Sequence, residues 1–189
     1  MPDTDIRLFI AATLPPALIK HLQYLQLRVK NMSTKASLTK PDNLHCTLRF
    51  IGEVQSQDVA AIREAFLTLR DKSPLNEPDG LAVQLDRVGR FHSDPGALIR
   101  VDLDVPDRFR DFVRDLEDAL VATGLKRDRR PWKPHITLAR RVVSAMSPDD
   151  LCATLEQLLD KKAFPIEKIV LFRSEFTSRG MKYTPLEVL

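Results

Sequence analysis

The sequence predicts an α+β fold of two similar lobes. Each lobe is an antiparallel-rich sheet with helices outside, and the two pack about a pseudo-two-fold axis around a central cleft. Three observations predict it. The phrase His-x-Thr-Leu occurs twice, as His45-Cys46-Thr47-Leu48 and His135-Ile136-Thr137-Leu138. The order strand, helix, motif strand, helix, strand also occurs twice. The offsets agree: the motifs lie 90 residues apart, and the first-strand prolines (Pro15, Pro106) and helix-opening serines (Ser56, Ser147) lie 91 apart. With 4 His, 11 Thr and 27 Leu in the chain, about 0.03 copies of the phrase are expected by chance.

At 189 residues, the chain is expected to form one bilobal domain over 1–189, with repeat halves of roughly 6–91 and 97–189. Hydrophobic residues make up 43% and charged residues 29%, as in an ordinary globular protein. The net charge of +3 suits an anionic ligand but falls far short of a protein that coats nucleic acid. Cys46 and Cys152 supply neither a disulfide framework nor a Cys-x-x-Cys metal pattern, which fits a reducing cytoplasm. No basic-then-apolar leader and no membrane-length apolar run is present, so a membrane partner is not expected. An internal two-fold lets a monomer build the whole site.

Residues Arg7–Leu14 form a buried-strand pattern ended by Pro15-Pro16. Leu18, Leu22, Leu25 and Val29 then recur at helical spacing, with proline in the first turn. A polar stretch, Lys30–Asn43, leads into the first motif strand, which runs to Val54. Ser56 is positioned to cap a helix with Val59, Ile62, Phe66 and Leu69 on one face. Ser73–Gly80 is a loop, and Leu81–Phe91 alternates as a strand.

After the His92–Gly96 turn the plan restarts with a strand over Ala97–Val105. A helix carries Phe109, Phe112, Leu116 and Leu120 inward. A basic loop from Lys126 to Lys133, with Trp132, delivers the second motif strand; it suits either RNA contact or a solvated loop with one anchoring Trp. Ser147-Pro148-Asp149-Asp150 has the N-cap, N1 proline and acidic first turn of a helix with Leu151, Leu155 and Leu158 inward. Phe164–Phe172 and Lys182–Leu189 complete the strands.

On a strand, residues two apart share a face. Each motif therefore presents one His and one Thr on one side and an apolar pair on the other. Two imidazoles across a cleft suit acid–base catalysis near neutral pH. Two Thr hydroxyls can hold the oxygens of an anion between them. Hydrolysis of a cyclic phosphodiester uses such a set, with one His activating water and the other protonating the departing alkoxide roughly in line. Positive charge would offset the charge building on the phosphoryl oxygens. Arg49 is in phase with His45 and Thr47, whereas Arg140 is out of phase with His135 unless the strand bulges. No Cys or carboxylate near the two His completes a metal-ligand set. Cys46 faces away from His45 and is expected in the core.

Four stretches carry a family resemblance over nearly the whole chain: RLFIA followed by LPP, LHCTLRFIGEV at 44–54, KPHITLAR at 133–140 and RSEFTSRGMKYTPL at 173–186. The sequence resembles the 2H phosphoesterases, and within them the RNA 2′,3′-cyclic phosphodiesterases, also called 2′-5′ RNA ligase-like proteins. The resemblance implies opening of a terminal 2′,3′-cyclic phosphate on RNA to a 2′-phosphomonoester. It implies no metal or other cofactor. The reverse reaction, joining RNA ends through a 2′-5′ bond, uses the same groups by microscopic reversibility and is a third reading, as a side activity. The resemblance also implies His45 as proton donor to the leaving 3′-oxygen and His135 as base, with Thr47 and Thr137 holding the phosphate. The alternatives are a cyclic phosphodiesterase acting on a small cyclic nucleotide and a non-catalytic module that binds RNA ends.

Overall fold

The computed structural model describes residues 5–178 and 180–189. Nine strands and four helices follow one another as β1 (Ile6–Thr13), α1 (Pro16–Asn31), β2 (Lys35–Leu38), β3 (His45–Val54), α2 (Val59–Leu67), β4 (Leu81–His92) and β5 (Ala97–Asp104), then α3 (Asp107–Ala122), β6 (His135–Val143), α4 (Pro148–Glu156), β7 (Ala163–Ile166), β8 (Ile169–Thr177) and β9 (Gly180–Val188). The α+β fold is as the sequence predicts. The strands are antiparallel and run β7-β4-β5-β6-β3-β1-β8-β9, with β2 on β6. The centre of this order is thin, because β3 and β6 touch through one pair, Cys46 with Ile136. Two sheets thus meet edge to edge at the two motif strands.

Each half of the chain lends strands to the other lobe. β4 leaves β1 and β3 to pair with β5, while β8 leaves β5 and β6 to pair with β1. The helices mirror this exchange: α1 and α4 pack on the β2–β4–β6 side, and α2 and α3 on the β3–β9 side. Leu18, Leu22, Leu25 and Val29 of α1 are fully buried, as are Phe109, Leu116 and Leu120 of α3, so the apolar stripe fixes which helix face meets a sheet.

Three readings of the sequence need correction. Phe164–Phe172 is two strands, because the chain crosses between the sheets at Glu167-Lys168: β7 pairs with β4 and β8 with β1. The polar stretch before the first motif contains β2, an edge strand against β6 with too little buried surface to show alternation. Ser56 opens a single 3₁₀ turn, Ser56–Asp58, and α2 proper begins at Val59. Ser147 does cap α4, accepting the Asp150 backbone N–H at 3.1 Å.

Among the described residues no helix is long and apolar enough to cross a membrane. Gln26 of α1 is buried, and its amide donates to the Thr39 carbonyl at 2.7 Å and the Leu138 carbonyl at 2.8 Å. Gln26→Leu keeps the bulk and removes both bonds, so the free energy of unfolding falls by about 1–3 kcal/mol. Urea denaturation checks this: the midpoint drops with the slope unchanged, whereas an unaltered midpoint means that these bonds contribute nothing.

Candidate active site

The two motif strands lie side by side where the sheets meet. Along β3, Cys46 and Leu48 are buried while His45 and Thr47 are half-exposed; along β6, Ile136 and Leu138 are buried while His135 and Thr137 are half-exposed. Both His–Thr pairs line one cleft of about 380 Å³. Lys40, Asn43, Arg140, Arg141, Phe176 and Tyr183 are also in its wall.

The same bond orients both imidazoles. His45 Nδ1–H donates to the Asn43 carbonyl at 2.7 Å, and His135 Nδ1–H donates to the Lys133 carbonyl at 2.8 Å. A carbonyl only accepts, so each Nδ1 carries the proton and each neutral ring leaves its Nε2 lone pair available. Thr47 Oγ1 donates to His45 Nε2 at 3.0 Å. Among the described residues nothing bonds His135 Nε2. The rings are packed as well as bonded: Phe9 lies 5.0 Å from His45, Tyr183 meets it edge-on at 5.5 Å, and Phe91 meets His135 edge-on at 5.6 Å.

Burial lowers the pKa of both histidines, since an imidazolium is poorly solvated there. His45 falls to about 4; its bond to Asn43 opposes the shift, and Arg140 and His135 add to it. His135 is also lowered, first by burial and then by Arg100 and Arg140. Both rings are therefore mostly neutral at pH 7. Cys46 is buried in the core, as the strand phase predicts, and that burial pushes its thiol up to about 12.

One backbone irregularity decides where the two candidate arginines go. In β3, Ala11 and Ile10 face Thr47 and Arg49, leaving Leu48 as an extra residue. In β6, Arg100 and Ile99 face Thr137 and Ala139, leaving Leu138 extra. Each motif strand thus bulges at its Leu, and the in–out phase flips after it. The flip carries Arg140 into the cleft, where no carboxylate pairs with it among the described residues. Arg141 follows with φ of 52°, the left-handed region that an Arg rarely adopts, and it too reaches the cleft.

The same flip takes Arg49 out of the cleft. Its Nε lies 2.6 Å from Glu117 Oε2, and its Nη2 donates to the Lys126 carbonyl at 2.7 Å. Expecting Arg49 beside His45 and Thr47 assumed unbroken alternation, and the bulge removes that assumption. Tyr183 and Arg141 join the cleft wall from outside the two His-x-Thr-Leu phrases. Tyr183 lies 138 residues from His45 in sequence, and Arg141 reaches the cleft only through the bulge and its unusual φ.

A second groove of about 840 Å³ opens on the other side of the pair, sharing Thr47 and His135 and lined by Arg49, Phe50, Phe91 and Trp132. Trp132 is an anchor: its indole N–H donates to the Thr47 carbonyl at 2.9 Å, and its ring meets Phe109 edge-on. Two arginines of the basic loop are paired, Arg127 with Asp118 and Arg130 with Asp128, both at 2.6 Å. Among the described residues no three His, Cys, Asp or Glu side chains converge to hold a metal ion.

Comparison with known proteins gives this geometry a context. The family model described as the 2′-5′ RNA ligase superfamily matches residues 14–176. The chain is 29% identical over 188 residues to an RNA 2′,3′-cyclic phosphodiesterase of Methanothermobacter thermautotrophicus, covering 97% of each chain. It is 26% identical to an RNA 2′,3′-cyclic phosphodiesterase of Escherichia coli, covering 96% of this chain and 94% of the relative. Among solved structures, TT0787 of Thermus thermophilus superposes with a TM-score of 0.73 at 25% identity, covering 97% of this chain and 96% of that one. Escherichia coli LigT complexed with 3′-AMP superposes with a TM-score of 0.71 at 21% identity, covering 98% of each, a likeness of fold. With two His-x-Thr strands facing one cleft and a family match across most of its length, the chain belongs to the 2′-5′ RNA ligase superfamily.

Proposed function

We propose that the protein hydrolyses the 2′,3′-cyclic phosphate at the 3′ end of RNA to a 2′-phosphomonoester, by two-histidine acid–base catalysis without a metal. The observation that carries this reading is the pair of imidazoles, each held by Nδ1 on a main-chain carbonyl, that line one cleft together with Thr47 and Thr137. The named activity of the relatives supports the substrate class.

In the reaction, neutral His135 takes a proton at Nε2 from water as the water oxygen attacks phosphorus. The bond from phosphorus to the 3′-oxygen breaks, and His45, protonated at Nε2, gives that proton to the leaving oxygen. The assignment of donor and base follows the family resemblance, since the duplicated motif is symmetric. Thr47 and Thr137 hydroxyls donate to the non-bridging oxygens, and Arg140 offsets the charge gathering there. Arg49, committed to Glu117, takes no part. His45 needs its proton when the substrate is bound. A phosphodiester anion beside both rings and Arg140 supplies the negative charge that raises the depressed pKa values. Loading of the donor is therefore coupled to binding.

Incubation with a short RNA ending in a 2′,3′-cyclic phosphate, with EDTA present, should yield a 2′-phosphate. A 3′-phosphate product would reverse the choice of leaving oxygen. Activity lost in EDTA and restored by added metal would overturn the metal-free mechanism. No reaction on RNA but turnover of a small cyclic nucleotide would move the substrate class.

His45→Ala and His135→Ala should each lower kcat by about 10²–10⁴-fold. Binding of an RNA ending in a 2′-phosphate, followed by fluorescence anisotropy, should stay within a few-fold. Wild-type turnover in either variant removes that histidine from the chemistry. Because both imidazoles titrate below 6.5 in the free protein, kcat/KM should follow a bell with its maximum below pH 6.5, falling as rising pH strips the donor proton. The kcat profile of the bound complex should peak at higher pH. Coincident maxima would mean that the bound phosphate does not raise the pair.

A further inference from the structure

Phe176 is 85% exposed, and no other large apolar side chain among the described residues comes close to that exposure. It sits near the end of β8, at the rim of the catalytic cleft. Nothing in the reaction above uses it.

Its placement is specific. Phe172, Ser174 and Phe176 alternate along one face of β8. Across the hairpin, Ser174 pairs with Tyr183 and Phe176 with Met181. Phe172 stacks on Phe9 at 5.2 Å, and Tyr183 meets both Phe9 and His45 edge-on. An aromatic and apolar track thus runs from His45 through Tyr183 to Met181 and Phe176. Phe176 lies about 7 Å beyond Ser174, two strand residues further from the chemistry. The hairpin is pinned to the catalytic strand: Asn43 Nδ2 donates to the Met181 carbonyl at 3.0 Å, and the Asn43 carbonyl holds His45 Nδ1. The platform and the imidazole therefore share one residue as their reference. Lys40, Arg140 and Arg141 share the same cleft wall and supply cationic charge beside the track.

An exposed aromatic ring in a cationic cleft is the arrangement that binds single-stranded nucleic acid, with bases stacking on the ring while cations meet the phosphates. We propose that Phe176 is a specificity-determining residue: it stacks on a base of the RNA strand whose cyclic end is at the histidines, and so favours RNA ends over base-free cyclic phosphates. This rests on the RNA-end reading above. It goes beyond that reading by assigning a base contact to this hairpin.

The test uses Phe176→Ala and Phe176→Tyr in the full chain. For a short RNA ending in a 2′,3′-cyclic phosphate, Phe176→Ala should raise KM roughly 5- to 100-fold, the range of a lost base stack, with kcat nearly unchanged. Inorganic phosphate, which has no base, should inhibit both proteins with the same Ki. Phe176→Tyr keeps the ring and should restore KM to within about 2-fold of the wild type. An unchanged KM in Phe176→Ala overturns the proposal, as does an equal weakening of RNA and inorganic phosphate. A change in sedimentation mass with RNA affinity intact would mean that the ring serves self-association instead. Fluorescence anisotropy with RNA ending in a 2′-phosphate needs no turnover. Absence of turnover with a Phe176-dependent affinity therefore sinks the hydrolysis reading alone, while turnover with a Phe176-independent affinity sinks the stacking alone.

Discussion

The site depends on one hydrogen bond made twice: an imidazole Nδ1–H to the main-chain carbonyl two residues upstream. That bond sets the tautomer, fixes the ring plane and leaves Nε2 toward the cleft. It can form because each His is the first residue of its strand, so the chain just before it is still turning and exposes a carbonyl. Before His45 that turn is a 3₁₀ segment at Pro41–Asn43; before His135 it is the Pro-punctuated loop with Trp132 and Lys133. A histidine in mid-strand would find its neighbouring carbonyls already committed to the ladder.

The cleft exists because the sheets barely join. β3 and β6 share one pair, so the strands diverge on either side of it and open space in front of each His. A bond across the gap ties the lobes together: Trp132, in the loop before β6, donates to the Thr47 carbonyl in β3. Within the lobe of β6, Gln26 ties α1 to the bulged strand and to the chain beyond β2. Exchange of β4 and β8 between lobes adds a topological tie, since neither sheet is complete without both halves of the chain.

Duplication gives the site its symmetry, and the neighbours of each motif break it. Both strands bulge at the equivalent Leu, yet Phe50 follows one bulge where Arg140 follows the other. Opposite His135 and Thr137 on β5 stand Asp102 and Arg100, a buried ion pair whose guanidinium also lies 4.1 Å from the Phe91 ring centroid. Opposite His45 and Thr47 on β1 stand Thr13 and Ala11, with the Phe9–Phe172–Tyr183 cluster beside the ring. One imidazole is therefore set against buried charge and the other against aromatic carbon, which makes room for two roles from one repeated phrase.

The sequence by itself determined the two motif strands, the helices with strong apolar stripes and the four His and Thr side chains of the cleft. These follow from periods of 2 and 3.6 residues, which act locally and leave their mark on neighbouring positions. Only the tertiary structure decided what a slip of one residue or a change of partner controls. The bulges exchange the fates of Arg49 and Arg140 without any glycine or proline in the motif to announce them. The break at Glu167-Lys168 is invisible as periodicity, because both flanking strands are apolar and differ only in which sheet receives them. Edge strand β2 has no buried face to pattern. Tyr183 and Phe176 join the site from a hairpin far along the chain, since pairing of β8 with β1 is a choice made by the assembled sheet.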